Sequence, residues 1–167
     1  MMLYLMRHGL AVEAGTPGFK TDADRALTHK GRRQLRKIAK AMKKMELEFD
    51  LILSSPFARA RQTAEIVAGA LKLKKKLKFS NALAVDGDLE LLLRQLERMK
   101  PAPKHLLLVG HEPSLSHLMS ILLTGNSRMK IDFKKSGLCK LEVDQLRFGA
   151  CATLAWMLTP GQIKLMT

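Results

Sequence analysis

Three short stretches of this chain carry side chains that could do chemistry on an anion. Arg7-His8-Gly9 directly follows an apolar run, "LYLM". Ser54-Ser55-Pro56 follows "DLIL" and is followed in turn by Arg59 and Arg61, and Gly110-His111-Glu112-Pro113 follows "HLLLV". Guanidinium forks grip planar or tetrahedral oxyanions in bidentate fashion and stay charged at any working pH. Histidine is the one side chain that serves near neutrality as nucleophile, acid or base. Pro56 and Pro113 each introduce a helix, whose first turn adds backbone N–H groups and the positive end of a dipole. Together these groups suit a phosphoryl group, with arginines to hold its oxygens and a histidine to receive it.

Such groups act together only if the chain brings them to one place. Residues 2–6 read as a buried strand, "DLILSSP" (50–56) as a second, "LKF" (77–79) as a weak third and "HLLLVG" (105–110) as a fourth. Helices fall between them. Thr28 is a plausible N-cap for a helix with the stripe Leu35, Ile38, Ala39, Met42 and Met45. A second helix runs from about Phe57 to Leu71, with Thr63, Ile66, Val67 and Ala70 facing inward. Asp86 or Asp88 caps a third, striped by Leu89, Leu92, Leu93, Leu96 and Met99. Pro113, in a first turn, starts a fourth with Leu115, Leu118, Met119 and Leu122 inward. "GLCKLEVD" (137–144) and "ACATLAWML" (150–158) close the chain as a strand pair. This alternation predicts a three-layer α/β/α sandwich around a mainly parallel sheet with a C-terminal antiparallel strand pair. Residues 1–167 read as a single domain. In such sheets ligands bind beyond the carboxyl ends of the strands, where all three stretches would then lie.

Composition narrows the classes further. With 47% hydrophobic residues and a mean hydropathy near zero, the chain reads as globular rather than disordered. No apolar run is long enough for a membrane span, and the N-terminus has no basic region or small-residue cleavage site, so a cytoplasmic protein is expected. Cys139 and Cys151 have neither metal-knuckle nor CxxC spacing and read as reduced thiols in strands. The extreme feature is charge: 29 Lys+Arg against 15 Asp+Glu, a net +14. A field of that sign attracts phosphorylated molecules, acidic protein surfaces and nucleic acid. The eight basic residues between Lys30 and Lys44, and the five lysines of "KLKKKLK" (72–78), read as solvated faces.

Arg7-His8-Gly9, "SSPFARARQTA" (54–64) and "VGHEP" (109–113) resemble the motifs of the histidine phosphatase superfamily, the phosphoglycerate mutase-like fold. With "DADRALTHKG" (22–31), "GHEPSL" and the short length, the chain looks most like the small SixA-type phosphohistidine phosphatase branch. The resemblance spans nearly the whole chain. It implies that His8 is the nucleophile, carrying the phosphoryl group as a phosphohistidine. Arg7 and Arg59 would hold phosphate oxygens, and His111 would contact the transferring group. No metal or cofactor is implied. Since His8 must be neutral to attack, its second ring nitrogen should donate to a fixed acceptor such as a backbone carbonyl. Of Ser54 and Ser55, both strand-end residues, Ser55 is the candidate for a phosphate hydrogen bond. Arg61 reads as a helix surface residue, His29, His105 and His117 as structural, and Lys134 and Lys135 as a solvated loop at the rim.

One departure bears on the substrate. Larger family members place a glutamate after the third strand as general acid, and by spacing Ala82 stands there in "SNALAVDGD" (80–88). An imidazole leaving group, with a conjugate-acid pKa of about 6.5, can depart already protonated and needs no strong acid. Asp22 is the candidate for a residual acid, base or substrate contact, or else a loop partner of Arg25; Glu13, Asp24 and Asp86 stand behind it. No insertion is long enough to form a cap, so an open pocket is expected. The partner expected is a phosphohistidine-containing signalling or phosphotransfer protein, such as a histidine-phosphotransfer domain, with phosphate as product. A small-molecule phosphomonoesterase is the alternative. A nucleic-acid-binding module is suggested by the charge alone, and one Trp and one Tyr offer few stacking platforms.

Overall fold

Successive side chains of a strand point to opposite faces, and in β1 (Met2–Arg7) both sets are apolar. Leu3 and Leu5 enter one core, Tyr4 and Met6 the other. The computed structural model, which describes residues 1–166, repeats this division in β2 (Leu51–Ser54) and β4 (His105–Gly110). Leu106 and Leu108 of β4 join the first core, Leu107 and Val109 the second. A sheet apolar on both faces must be covered on both. Helices α3 (Leu89–Glu97) and α4 (Ser114–Thr124) cover the first face with Leu92, Leu93, Leu96, Leu115, Leu118 and Leu122. Helices α1 (His29–Lys44), α2 (Ala58–Ala70) and α5 (Pro160–Lys164) cover the second. The result is the expected α/β/α sandwich.

With β3 (Leu77–Phe79), β5 (Leu138–Val143) and β6 (Ala152–Leu158), the strands form one sheet in the order β3-β2-β4-β1-β5-β6. The first four run parallel, while β5 is antiparallel to β1 and β6 to β5. The closing strand pair is therefore an extension of the same sheet.

Local signals hold where they are chemical. Thr28 Oγ1 accepts the Gly31 N–H at 3.0 Å, and Asp88, not Asp86, caps α3 by accepting from Glu90 and Leu91. Gly31 is required: a Cβ there would lie 2.2 Å from the Leu10 carbonyl oxygen. Several expectations change. The inward face of α2 is Ala60, Thr63, Ala64, Val67 and Ala68, whereas Ala70 is exposed and Ile66 only half-buried. Alanines four residues apart give a smooth row on which α1 packs, a feature that hydrophobicity alone does not rank. Met45 is the C-cap of α1 and half-buried, and Pro113 is the N-cap of α4 rather than a first-turn residue. Cys139 lies in β5, but Cys151 precedes β6; both are free thiols. The short α5, capped by Thr159 with Gln162 answering in a capping box, was not anticipated. Among the described residues no helix is long and apolar enough to cross a membrane.

Candidate active site

Strand register assembles the site. Arg7 of β1 lies opposite Gly110 of β4, so the next residues, His8 and His111, emerge side by side. The His8 N–H donates to Gly110 O at 3.1 Å, and the Ser55 N–H to Val109 O at 2.9 Å. Residues from the ends of β1, β2 and β4 thus meet at one edge of the sheet, and α2 adds Arg59 from its first turn. The His8 and His111 ring centroids are 5.1 Å apart.

Two contacts define the state of His8. Its Nδ1 lies 2.7 Å from Gly9 O, which can only accept, so Nδ1 carries the proton. Its Nε2 lies 3.3 Å from Arg59 Nε, which can only donate, so Nε2 presents a lone pair. The backbone acceptor expected from sequence is therefore the carbonyl of the next residue. Burial is the main force lowering the His8 pKa to about 3; the Gly9 bond opposes it, and His111, Arg59 and Arg7 add to it. His111 falls to about 4, first through burial and then through Arg59, with Asp22 opposing. Both rings are neutral at pH 7.

The remaining groups are fixed by short bonds. Arg59 Nη1 donates to the Asp22 carbonyl at 2.7 Å and Nη2 to Asp22 Oδ2 at 2.8 Å; each nitrogen keeps a second N–H. Asp22 Oδ1 accepts from Arg25 at 2.7 Å, the loop pairing weighed for it from sequence. Partial burial would raise the Asp22 pKa, but the Arg25 and Arg59 hydrogen bonds and charges outweigh it and hold the carboxyl below its ordinary value. Arg7 Nη1 donates to Phe133 O at 2.8 Å, and the Ser136 N–H is shared between Arg7 O and His8 O. Ser55 Oγ accepts the Phe57 N–H at 3.2 Å and lies 2.8 Å from His111 Nε2. With one proton to donate and a second lone pair to accept, this hydroxyl fits either tautomer of His111. Arg7 Nε and His111 Nδ1 are buried without a protein partner. The unpartnered Arg7 Nε–H near a lone pair on His8 is suited to an oxygen of a bound phosphoryl group.

The side chains of the site are deeply buried. His8 is 6% exposed, Arg59 4% and His111 1%. Phe57 packs on His111 with ring centroids 5.5 Å apart, and the 3-10 turn Asp22–Asp24 lies against α2. Other candidates fall outside. Arg61 is exposed beside Glu65, and His29 and His117 are exposed. His105 is half-buried at the start of β4, and Lys134 pairs with Asp132. Glu13, Asp24 and Asp86 are exposed, with Asp24 capping its own turn. Ala82, matched by spacing to the glutamate of larger family members, is a core residue.

One functional residue went unread. Thr63 Oγ1 accepts the Gly9 N–H at 3.1 Å and donates to Arg59 O at 2.7 Å, joining the peptide that orients His8 to the helix that carries Arg59. The available signal was its place four residues after Arg59, on the same helix face.

Comparison with known proteins gives consistent matches. Residues 3–84 match the family described as histidine phosphatase superfamily (branch 1). An uncharacterized protein of Picosynechococcus is 37% identical over 151 residues, covering 90% of each chain. The phosphohistidine phosphatase SixA of Escherichia coli K12 is 28% identical over 167 residues, 99% of this chain and 98% of that one. The structure of the protein histidine phosphatase SixA complexed with tungstate superposes with a TM-score of 0.82 at 28% identity, over 96% of this chain and 98% of the other.

Proposed function

Because this chain belongs to the histidine phosphatase superfamily and is a phosphatase of its SixA type, we propose that it hydrolyses phosphohistidine on a phosphotransfer protein by way of a phosphorylated His8. The observation that carries this reading is the fixed tautomer of His8, with Nδ1–H on Gly9 O and the Nε2 lone pair beside Arg59. Attack by Nε2 on phosphorus forms the N–P bond as the bond to the substrate imidazole breaks. Arg7, Arg59 and His111 neutralise the phosphoryl oxygens, where charge concentrates in the loose transition state of such transfers. The departing imidazole leaves neutral when its ring already carries a proton. A water then attacks phosphorus, His8 is regenerated with its Nδ1 proton in place, and inorganic phosphate is released.

What stands near the site supports an imidazole leaving group. Asp22 is held ionised by Arg25 and Arg59 and has no proton to give at neutral pH. By spacing, the place of the usual glutamate falls to the buried Ala82. An alkoxide would depart without help, whereas an imidazole needs none. The recessed nucleophile suits a phosphoryl group carried on a side chain. SixA of Escherichia coli, alike over nearly the whole chain, is named for this activity. The test compares initial rates on a phosphohistidine-bearing phosphotransfer domain with those on p-nitrophenyl phosphate and sugar phosphates. Acid-labile phosphate should be trapped on wild type and absent from His8→Ala. Faster turnover of the esters would assign the site to small-molecule phosphomonoesters, and an active His8→Ala enzyme would refute the nucleophile.

A further inference from the structure

At the opposite end of the sheet from His8, the amino ends of β2 and β4 open onto a concavity of about 820 Å³. Three separate segments supply its lysines: Lys75 and Lys76 from the turn before β3, Lys78 from β3, and Lys100 and Lys104 from the connection between α3 and β4. Lys76 Nζ donates to Phe49 O, while Lys75, Lys78, Lys100 and Lys104 are exposed and form no ion pair among the described residues. The one lining carboxylate, Asp50, accepts the backbone N–H groups of Lys104 and His105. An adjoining concavity shares Lys75 and Lys76 and adds Lys72 and Lys74, so the positive surface continues into it. Met99 and Pro103 give the concavity an apolar wall.

A run such as "KLKKKLK" read alone is a solvated face, but here lysines distant in sequence converge on one hollow. Like charges held together repel, so the arrangement lowers stability and needs a reason outside the fold. The phosphoryl group bound at His8 cannot supply it. The six-residue strands β1 and β4 separate the two ends by roughly 20 Å, beyond the reach of a group seated at the carboxyl edge. The volume lies in the range of small-molecule sites, about 300–1,000 Å³.

We propose that this hollow is a second anion site, which binds an organic molecule bearing a chain of phosphates, as a nucleoside triphosphate does. The ammonium groups of Lys75, Lys78, Lys100 and Lys104 would neutralise the phosphate chain, and the Met99–Pro103 wall would take the flat ring. Neither the nucleophile nor the arginines of the catalytic pocket take part.

Calorimetric titration with ATP at low salt tests the proposal, with tungstate added to saturation to block the catalytic pocket. One saturable site is expected in the presence of tungstate. AMP, with a single phosphate, should bind about tenfold more weakly or worse, as should ATP to a Lys75→Glu, Lys78→Glu, Lys100→Glu variant, since both changes remove charge complementarity. That variant should hydrolyse p-nitrophenyl phosphate at the wild-type rate, which shows that it is folded. Loss of ATP binding on adding tungstate would overturn the proposal, because the only anion site would then be the catalytic one. Unsaturable binding, or binding unchanged in the variant, would overturn it in favour of diffuse attraction. A short RNA duplex that binds more tightly than ATP through the same lysines would overturn it in favour of a nucleic-acid face.

Discussion

Thr63→Val replaces a hydroxyl by a methyl group of nearly the same shape and separates hydrogen bonding from packing. Thr63 is fully buried, and its Oγ1 is the hydrogen-bond partner of the Gly9 N–H. The substitution strands that donor in the interior, at a cost of about 1–3 kcal/mol, and removes the bond to Arg59 O, worth about 1 kcal/mol. Part of the second loss is offset because the Arg59 carbonyl keeps its place in the ladder of α2. The net expectation is a destabilisation of about 2–3 kcal/mol in urea denaturation. The catalytic effect is separate. Gly9 O holds the Nδ1 proton of His8, so a loosened Gly9 peptide weakens the preference for the tautomer that presents Nε2. Losing about 1.4 kcal/mol of that preference shifts the tautomer ratio about tenfold towards the form that hides the Nε2 lone pair, which lowers the reactive fraction by up to tenfold. Steady-state kinetics should show kcat reduced by up to about that factor with KM nearly unchanged, because Arg7 and His111 are untouched, and Thr63→Ser should restore kcat. A Thr63→Val enzyme that loses stability but keeps full kcat would refute the link between this hydroxyl and the His8 ring.

Protonation should destabilise the protein well above the pKa values of the folded histidines. Since those values are lowered to about 3 and 4, the unfolded chain takes up protons below about pH 6.5 that the folded chain refuses, and stability falls with pH across that window. Between pH 6.5 and 5 each buried ring should cost about 2 kcal/mol, and urea midpoints for wild type should fall more steeply than for His111→Gln. In Asp22→Asn the half-exposed pair with Arg59 is worth up to about 1 kcal/mol, so kcat/KM on phosphohistidine should fall no more than about fivefold. A loss beyond hundredfold in that assay would make Asp22 a proton donor. Gly31→Ala should lower the thermal midpoint although alanine is about 1 kcal/mol the better helix former. Its Cβ would lie 2.2 Å from the Leu10 carbonyl, which also accepts the Thr28 N–H.

The parts legible in the sequence were those written in local chemistry. The alternation through β1 and β4, the Thr28 cap, and the positions of His8, Arg59 and His111 at the ends of successive elements all follow from neighbours a few residues apart. What escaped depends on contacts between distant segments. Asp22 could be paired with Arg25 from spacing, but its contact with Arg59 needs the first loop folded over α2. Ser55 is a candidate phosphate contact from sequence, but its place against His111 comes from the β2–β4 register. The inward face of α2 was misread because alanines at 60, 64 and 68 matter by their smallness against α1. The lysines of residues 72–78 read as solvent-facing because Lys100 and Lys104, which share their hollow, lie beyond α3 in the chain.

The order of the sheet also governs when function can appear during synthesis. β1 is synthesised well before its neighbours in the sheet, β4 and β5, with Met2 pairing to His105 and Glu142. Through most of translation it is an apolar segment with neither ladder satisfied, the kind of segment that chaperones shield and that aggregates when they do not. Pairing so remote in sequence also slows folding. The same interleaving means that no truncated chain lacking β4 can place His111 beside His8. Turnover would therefore begin only after most of the chain has emerged, and incomplete products would be catalytically silent.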